Sequence, residues 1–472
     1  MRIPRAAGVA WPLLAVLAVQ AALSASMVRS STAFGDEALY LSAGHLEWSH
    51  WLHGTPIPDY PAFFSGAPVI YPPIGAIADS LGGLAAARLL SLAFMLGVTC
   101  LVWLTARRLL ADDRAAFFAA ALFAVLAPTL HLGSYATYDA AALLLLASAT
   151  WCVAGIRDGH PTRWLVAAGA LIALANATKY ATALYDPTVL GVAFLGAWPQ
   201  AGWRTALRRT AVVAGIAAAL IGALLALGGS DYLTGIALTT TDRVDGSSAA
   251  SAVFADAWSW TAVVVVPAVG AAAFCALRRR WPQALLLAVL ALSALLAPAE
   301  QARIQTTTSL EKHVDFGAWF AAIAAGYLLA LLARRRVVLV GLVAALLPVT
   351  ALGTAQARAI VDWPNTTGLV NVVRPMTAHG GHFLVETADV LQYYLPDTTW
   401  QQWSDTQSYH PQYYLQRLRQ HYYSVIVLSF NQTLATDYAI AVELQSVGGY
   451  TLAAKVRSGT TVFYVWQYTG RV

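Results

Sequence analysis

RTALRRTAVVAGIAAALIGALLAL, from Arg204 to Leu227, is the stretch that decides the class of this chain. Three arginines precede an uncharged apolar run that starts at Thr210. As a helix rising ~1.5 Å per residue, that run can cross a hydrocarbon core ~30 Å thick. Comparable runs lie at about 11–28, 84–104, 115–131, 139–156, 164–180, 182–198, 258–277, 282–298, 314–333 and 337–354. With 58% hydrophobic and 11% charged residues over 472 positions, the chain is too apolar and too charge-poor for a water-soluble globule. The reading is an α-helical polytopic membrane protein with about eleven transmembrane helices, held in the cell membrane by many passes.

The arginines ahead of Leu227 belong to a pattern. Arg2/Arg5, Arg107/Arg108/Arg114, Arg157/Arg163, Arg204/Arg208/Arg209, Arg278/Arg279/Arg280 and Arg334/Arg335/Arg336 hold more than half of the 29 Lys and Arg residues. They fall in alternate loops, so the positive-inside rule places those loops in the cytoplasm. The clusters also account for the net charge of +5, and no nucleic-acid partner is needed to explain it. Arg2 and Arg5 before an apolar stretch ending in Ala22-Leu23-Ser24-Ala25-Ser26 also fit a cleaved signal peptide, and a retained first span is the reading taken. Cys100, Cys152 and Cys275 all fall inside expected spans, which offers neither a disulfide framework nor a zinc site.

Composition changes near residue 355, dividing the chain into a transmembrane domain, 1–354, and an extracytoplasmic α/β domain, 355–472. Strands are expected at His382–Glu386, Ser424–Phe430, Tyr450–Val456 and Thr460–Tyr468. Helices are expected at Pro411–Tyr422 and Leu434–Gln445.

The residues able to do chemistry lie on the external side. Asp36 and Glu37 follow the first span and open an amphipathic stretch carrying Trp48 and Trp51, which suits an interfacial helix. A carboxylate placed there can act as general base toward an acceptor hydroxyl, or it can cap the helix. Asp139 opens the fourth span, where an ionisable residue beside hydrocarbon is costly and either functional or paired. Lys312 and His313 precede the tenth span and follow several hydroxyls, a setting for charge-assisted contact with phosphate. Cations are depleted on this side, so Lys179, Arg243 and Arg303 stand out as well. His45, His50 and His53 with Glu47 lack the spacing of a strong zinc motif. No cofactor is implied, no metal ligands are assigned, and a divalent metal stays open.

The Asp36-Glu37 pair after the first span, Tyr71-Pro72-Pro73 before the second, Ala177-Thr178-Lys179-Tyr180, and Asp139 at the mouth of the fourth together resemble the C-type (GT-C) membrane glycosyltransferases. The resemblance is to their protein O-mannosyltransferase and aminoarabinose transferase branch, of the family 39/83 kind. It covers the membrane part, and Tyr71 departs from the basic residue that often precedes the paired prolines in the aminoarabinose enzymes. The resemblance implies an inverting hexosyl- or pentosyltransferase with a polyprenyl-phosphate sugar donor and a lipid, glycan or protein acceptor. It further implies Asp36 as base, Glu37 and Asp139 in support, and Lys312 on the donor phosphate with His313, Arg243 and Lys179 assisting. The alternative is a transporter or flippase of a lipid-linked sugar. Against it, the chain shows no internal duplication, and its charges gather at one surface rather than at the midplane.

Overall fold

A computed structural model describes residues 11–155 and 161–470. Arg2, Arg5 and Arg157 lie outside the described residues. The chain forms two compact units, one built from 1–28, 59–71 and 81–361, the other from 29–58, 72–80 and 362–472. Two early segments, 29–58 and 72–80, thus group with the C-terminal residues.

In chain order the helices of the N-terminal three quarters are α1 (Trp11–Ala25), α2 (Gly35–His53), α3 (Tyr71–Leu110), α4 (Asp113–Ala124), α5 (Ala127–Leu132), α6 (Tyr138–Ala154) and α7 (Pro161–Thr178). They continue as α8 (Asp186–Ala201), α9 (Trp203–Thr239), α10 (Ala250–Leu277), α11 (Trp281–Leu292), α12 (Leu296–Arg303), α13 (Leu310–Leu332) and α14 (Arg336–Ile360). Helices cover every expected span. Among the described residues six helical segments are long and apolar enough to cross a membrane: α3, α9, α10, Trp281–Arg303, α13 and α14. The apolar helices α1 and α6 are shorter. The run expected at 115–131 is broken at Val125–Leu126, after which Pro128 sits in the first turn of α5. Among the described residues, six of the eleven expected spans thus fall on helical segments long and apolar enough to cross a membrane.

Helix α13 is the centre of the first unit. Nearly all its side chains from Val314 to Tyr327 are buried, and its small residues admit neighbours at close range. A methyl group added at Gly326 would lie 2.3 Å from the Ala115 carbonyl oxygen of α4. Interfaces between spans in lipid rely on such approach, because the bilayer supplies no hydrophobic drive between helices. By contrast α9 and α14 expose Leu220, Leu224, Leu227, Val337, Val340 and Leu347. Apolar surface on that scale needs a hydrocarbon environment.

The second unit contains α15 (Thr367–Thr377), β1 (His382–Val385), α16 (Ala388–Tyr394), β2 (Trp403–Asp405), α17 (Pro411–Arg419), β3 (Tyr423–Leu428), α18 (Leu434–Ser446), β4 (Tyr450–Ser458) and β5 (Thr461–Tyr468). The sheet order is β2-β1-β3-β5-β4. Strand β1 is parallel to β2 and β3, whereas β5 is antiparallel to β3 and β4. Alternation along the strands makes two cores. Phe383, Val385, Val425 and Val427 pack with Leu369, Val370 and Val373 of α15, while Leu384, Ile426 and Leu428 pack with Leu415 and Leu418 of α17 and Ile440 of α18. Each of these aliphatic side chains contributes ~1.5–3 kcal/mol by leaving water.

Helix α2 and the first turns of α3 belong to this unit too. A kink at Gly82 and Gly83, where Gly83 has φ +65°, separates those turns from the rest of α3. A side chain at Gly44 would meet the Pro72 carbonyl oxygen at 2.0 Å, so the two backbones touch. Trp48 Nε1 donates to Pro73 O at 3.0 Å, and His45 pairs with Asp79 at 2.7 Å.

Candidate functional site

In the first unit the candidate residues are positioned by a break between two helices. Helix α7 stops at Thr178, and Lys179 is extended (φ −151°, ψ 115°) before a short 3₁₀ turn over Tyr180–Tyr185. The break is held by a strip of chain lying flat against it: Ala67 N–H donates to Ala177 O at 2.7 Å, and Tyr180 N–H donates to Ser65 O at 2.9 Å. Gly66 between them would carry a Cβ only 2.1 Å from Thr178 O, so only glycine permits this approach. Leaving the helix turns the Lys179 side chain inward, where Nζ forms an ion pair with Asp139 Oδ1. Both side chains are buried. Thr137 Oγ1 donates to the other carboxylate oxygen at 2.9 Å, and the Lys179 ammonium lies 5.0 Å from the Tyr138 ring centre.

Lys312 is also buried, with its ammonium 5.7 Å from the Tyr135 ring centre, and it lies with His313 within electrostatic reach of Asp139. His313 Nδ1 and Gln301 Nε2 are 2.6 Å apart, and Tyr185 Oη donates to the His313 carbonyl at 3.2 Å. Lys179, Arg243 and His313 line a cavity of about 290 Å³ whose other walls include Tyr180, Tyr185 and Phe316. Thr239, Thr240, Glu300 and Gln301 line it as well, and cations beside an aromatic wall suit an amphiphile with an anionic head. The structure thus brings together Asp139, Lys179, Lys312, His313 and Arg243. Arg303 instead pairs with Glu300 at 2.6 Å on the surface.

Asp36 and Glu37 belong to the second unit, in the first turn of α2. Their surroundings differ. Glu37 is fully buried and accepts the Phe34 N–H at 3.0 Å, half of a capping box. Asp36 is partly exposed. Asp389, in the first turn of α16, is pushed up to about 7 by burial and by the negative charges of Asp405 and Asp36. His45 is committed to Asp79, and His50 Nδ1 lies 2.9 Å from Thr55 O. Among the described residues no three His, Cys, Asp or Glu side chains are arranged to hold a metal.

Three ionisable residues inside the expected spans escaped the sequence reading, Arg88 and Asp315 buried and Asp186 half-buried. Arg88, inside the second span, donates to Val28 O at 2.8 Å. Asp315, inside the tenth, accepts from Thr129 at 2.7 Å while its second oxygen has no hydrogen-bond partner among the described residues. Asp186, inside the sixth, accepts from Asn176 at 2.8 Å. The signal was present in each case, since a charge inside an apolar run is itself informative.

Residues 75–228 match the family of dolichyl-phosphate-mannose-protein mannosyltransferases. Among solved structures, the chain is similar to ArnT from Cupriavidus metallidurans in the apo state, with TM-score 0.62 and 15% identity over 96% of this chain and 97% of that one. The undecaprenyl phosphate-bound form of that protein gives TM-score 0.62 and 15% identity over 97% and 98% of the two chains. The archaeal oligosaccharyltransferase AglB from Archaeoglobus fulgidus, in complex with an inhibitory peptide and a dolichol-phosphate, gives TM-score 0.60 and 14% identity over 96% of this chain and 74% of that one. A comparison with curated protein sequences finds no match. The chain is a multi-pass membrane protein with the fold of the C-type membrane glycosyltransferases, and the resemblance read from its sequence holds.

Proposed function

We propose that this protein transfers a sugar from a polyprenyl-phosphate donor to a hydroxyl of a lipid, glycan or protein acceptor on the extracytoplasmic face of the membrane. The observation that carries the reading is the cavity in which Lys179, Arg243 and His313 meet the aromatic wall of Tyr180, Tyr185 and Phe316. An isoprenoid phosphate needs both features. The undecaprenyl phosphate bound to ArnT and the dolichol-phosphate bound to AglB, proteins of the same fold, support that donor class.

In this reading Asp36 takes the proton of the acceptor hydroxyl, and the acceptor oxygen forms a bond to the anomeric carbon as the carbon–oxygen bond to phosphate breaks. The polyprenyl phosphate leaves with the electron pair, and the configuration inverts. Lys312, Arg243 and His313 stabilise the charge that grows on the departing phosphate. Asp139 supports the reaction by fixing Lys179, and Glu37 does so by capping the turn that carries Asp36. Asp36 is favoured as base over Glu37 because it is partly exposed and Glu37 is spent on the Phe34 N–H.

The test is mass spectrometry of lipid-linked sugars in cells with and without the protein. Accumulation of one polyprenyl-phosphate sugar in its absence supports the assignment and names the donor. An unchanged lipid-linked pool alongside unchanged envelope glycans contradicts it.

A further inference from the structure

Asp36 sits one residue beyond a four-residue strip, 32–35, whose first three residues are tied to distant parts of the chain. Thr32 accepts twice, its carbonyl from Trp363 Nε1 at 2.8 Å and its hydroxyl oxygen from the Thr366 N–H at 3.0 Å. Ala33 N–H donates to Tyr394 Oη at 2.8 Å. The Phe34 ring meets the Trp363 ring edge-on, with centres 5.3 Å apart, and a side chain at Gly35 would contact Thr387 Cγ2 at 3.9 Å. The partners all come from residues 363–394, hundreds of positions away in sequence.

The need for such a tie follows from local chemistry. The residue preceding α2 is Phe34, which has no oxygen to cap the helix, so this turn lacks the ordinary means of fixing its own start. Glu37 supplies one acceptor and Tyr394 another. Helix α16 makes a second tie through the neighbouring residue, because Tyr393 Oη donates to Asp79 at 2.6 Å and Asp79 in turn holds His45 of α2. One short helix therefore holds the chain just ahead of α2 and α2 itself near its middle.

We propose that Tyr394 and Trp363 are positioning residues for the carboxylate of Asp36, so that the C-terminal segment forms part of the transfer machinery and is not an appended module. The proposal rests on the reading of Asp36 as base. A general base works only within hydrogen-bond reach of its proton, and displacement by ~1 Å can cost ~10²-fold in rate. Positioning of this kind lowers kcat and leaves donor binding alone.

The experiment compares the full-length protein in detergent with Tyr394→Phe, Trp363→Phe, Asp36→Asn and the double variant Asp36→Asn/Tyr394→Phe. Each is assayed with the donor that accumulates in cells lacking the protein. Tyr394→Phe and Trp363→Phe should each lower kcat about tenfold or more, with donor KM within twofold of the parent. The double variant should be no slower than Asp36→Asn alone within twofold, since a positioning residue has nothing left to position. Hydrogen exchange separates this from general unfolding: the peptide spanning Ser31–Leu39 should exchange faster in Tyr394→Phe while β3 stays protected. Unchanged kcat in Tyr394→Phe with Asp36→Asn inactive would overturn the positioning role and leave the base in place. Additive losses in the double variant, or loss of protection in β3, would also overturn it. Full turnover by Asp36→Asn would remove the base assignment, and the positioning proposal with it.

Discussion

Lys179 and Asp139 form an ion pair with both side chains withdrawn from solvent, at the point where α7 breaks and α6 begins. Lys179 is at once a wall of the cavity and the partner of a buried carboxylate, which makes it a fixed charge and not a mobile one.

Removing one member of this pair leaves the other buried without compensation, which costs ~3–5 kcal/mol. Asp139→Asn should therefore lower the unfolding temperature in detergent well beyond what its near-isosteric shape suggests. Asp139→Asn combined with Lys179→Met should recover much of that loss. Equal melting of the parent and Asp139→Asn would mean the pair contributes nothing.

Arg243 lines the same cavity with only partial burial. A charge-assisted contact to phosphate is worth ~1.5–3 kcal/mol, so Arg243→Ala should weaken binding of polyprenyl phosphate ~10–100-fold with little change in melting temperature. Competition binding with a fluorescent polyprenyl phosphate measures this. A loss equally large for an uncharged polyprenol would place the effect on the chain and not on the phosphate.

Gly66→Ala tests the break that delivers Lys179. The added methyl has 2.1 Å to Thr178 O, so backbone must move, at a cost of ~1–3 kcal/mol. Donor affinity and melting temperature should fall together, unlike the outcome for Arg243→Ala.

The second unit should respond to pH through Asp437 and Asp389. Burial, and then the charge of Glu386, push Asp437 up to about 6, and Asp389 stands at about 7. Both exceed the ordinary value of 3.8, so the folded form holds protons that the unfolded chain releases. Their contribution is therefore greatest in acid and declines as pH rises from about 4 toward 7. Hydrogen exchange in α18, corrected for intrinsic rate, should show more protection at pH 5 than at pH 7.5. Asp437→Asn should flatten most of that difference.

Much of this architecture was legible. Strands expected at His382–Glu386 and Ser424–Phe430 occur at His382–Val385 and Tyr423–Leu428, and the helices expected from Pro411 and Leu434 start there. Alternation and periodicity are local, so they survive without knowledge of the fold. Strand β2 and helix α16 were not legible, because Trp403–Asp405 is too short to show a period and Ala388–Tyr394 makes only two turns. The site divided along the same line. Lys179, Lys312 and Asp139 stood out as charges at span ends, whereas the pairing of Lys179 with Asp139 depends on a helix break stabilised by Gly66, more than a hundred residues upstream. The ties from Trp363 and Tyr394 to the Asp36 turn were likewise invisible, since no local rule links positions over three hundred residues apart.

The proposed extracytoplasmic placement of the C-terminal segment rests on the Arg-rich loops and is open to labelling. With Cys100, Cys152 and Cys275 replaced, Ser408→Cys should react with a membrane-impermeant maleimide in intact cells, and Arg279→Cys only after permeabilisation. The opposite pattern would invert the topology.

The most direct test is turnover with a polyprenyl-phosphate sugar donor, comparing the parent protein with Asp36→Asn and following release of free polyprenyl phosphate. Asparagine keeps the size of the side chain and removes the proton acceptor, so release should fall by about 10²-fold or more while donor binding is kept. Full release by Asp36→Asn would contradict the account, and would show that the proton is taken by another group.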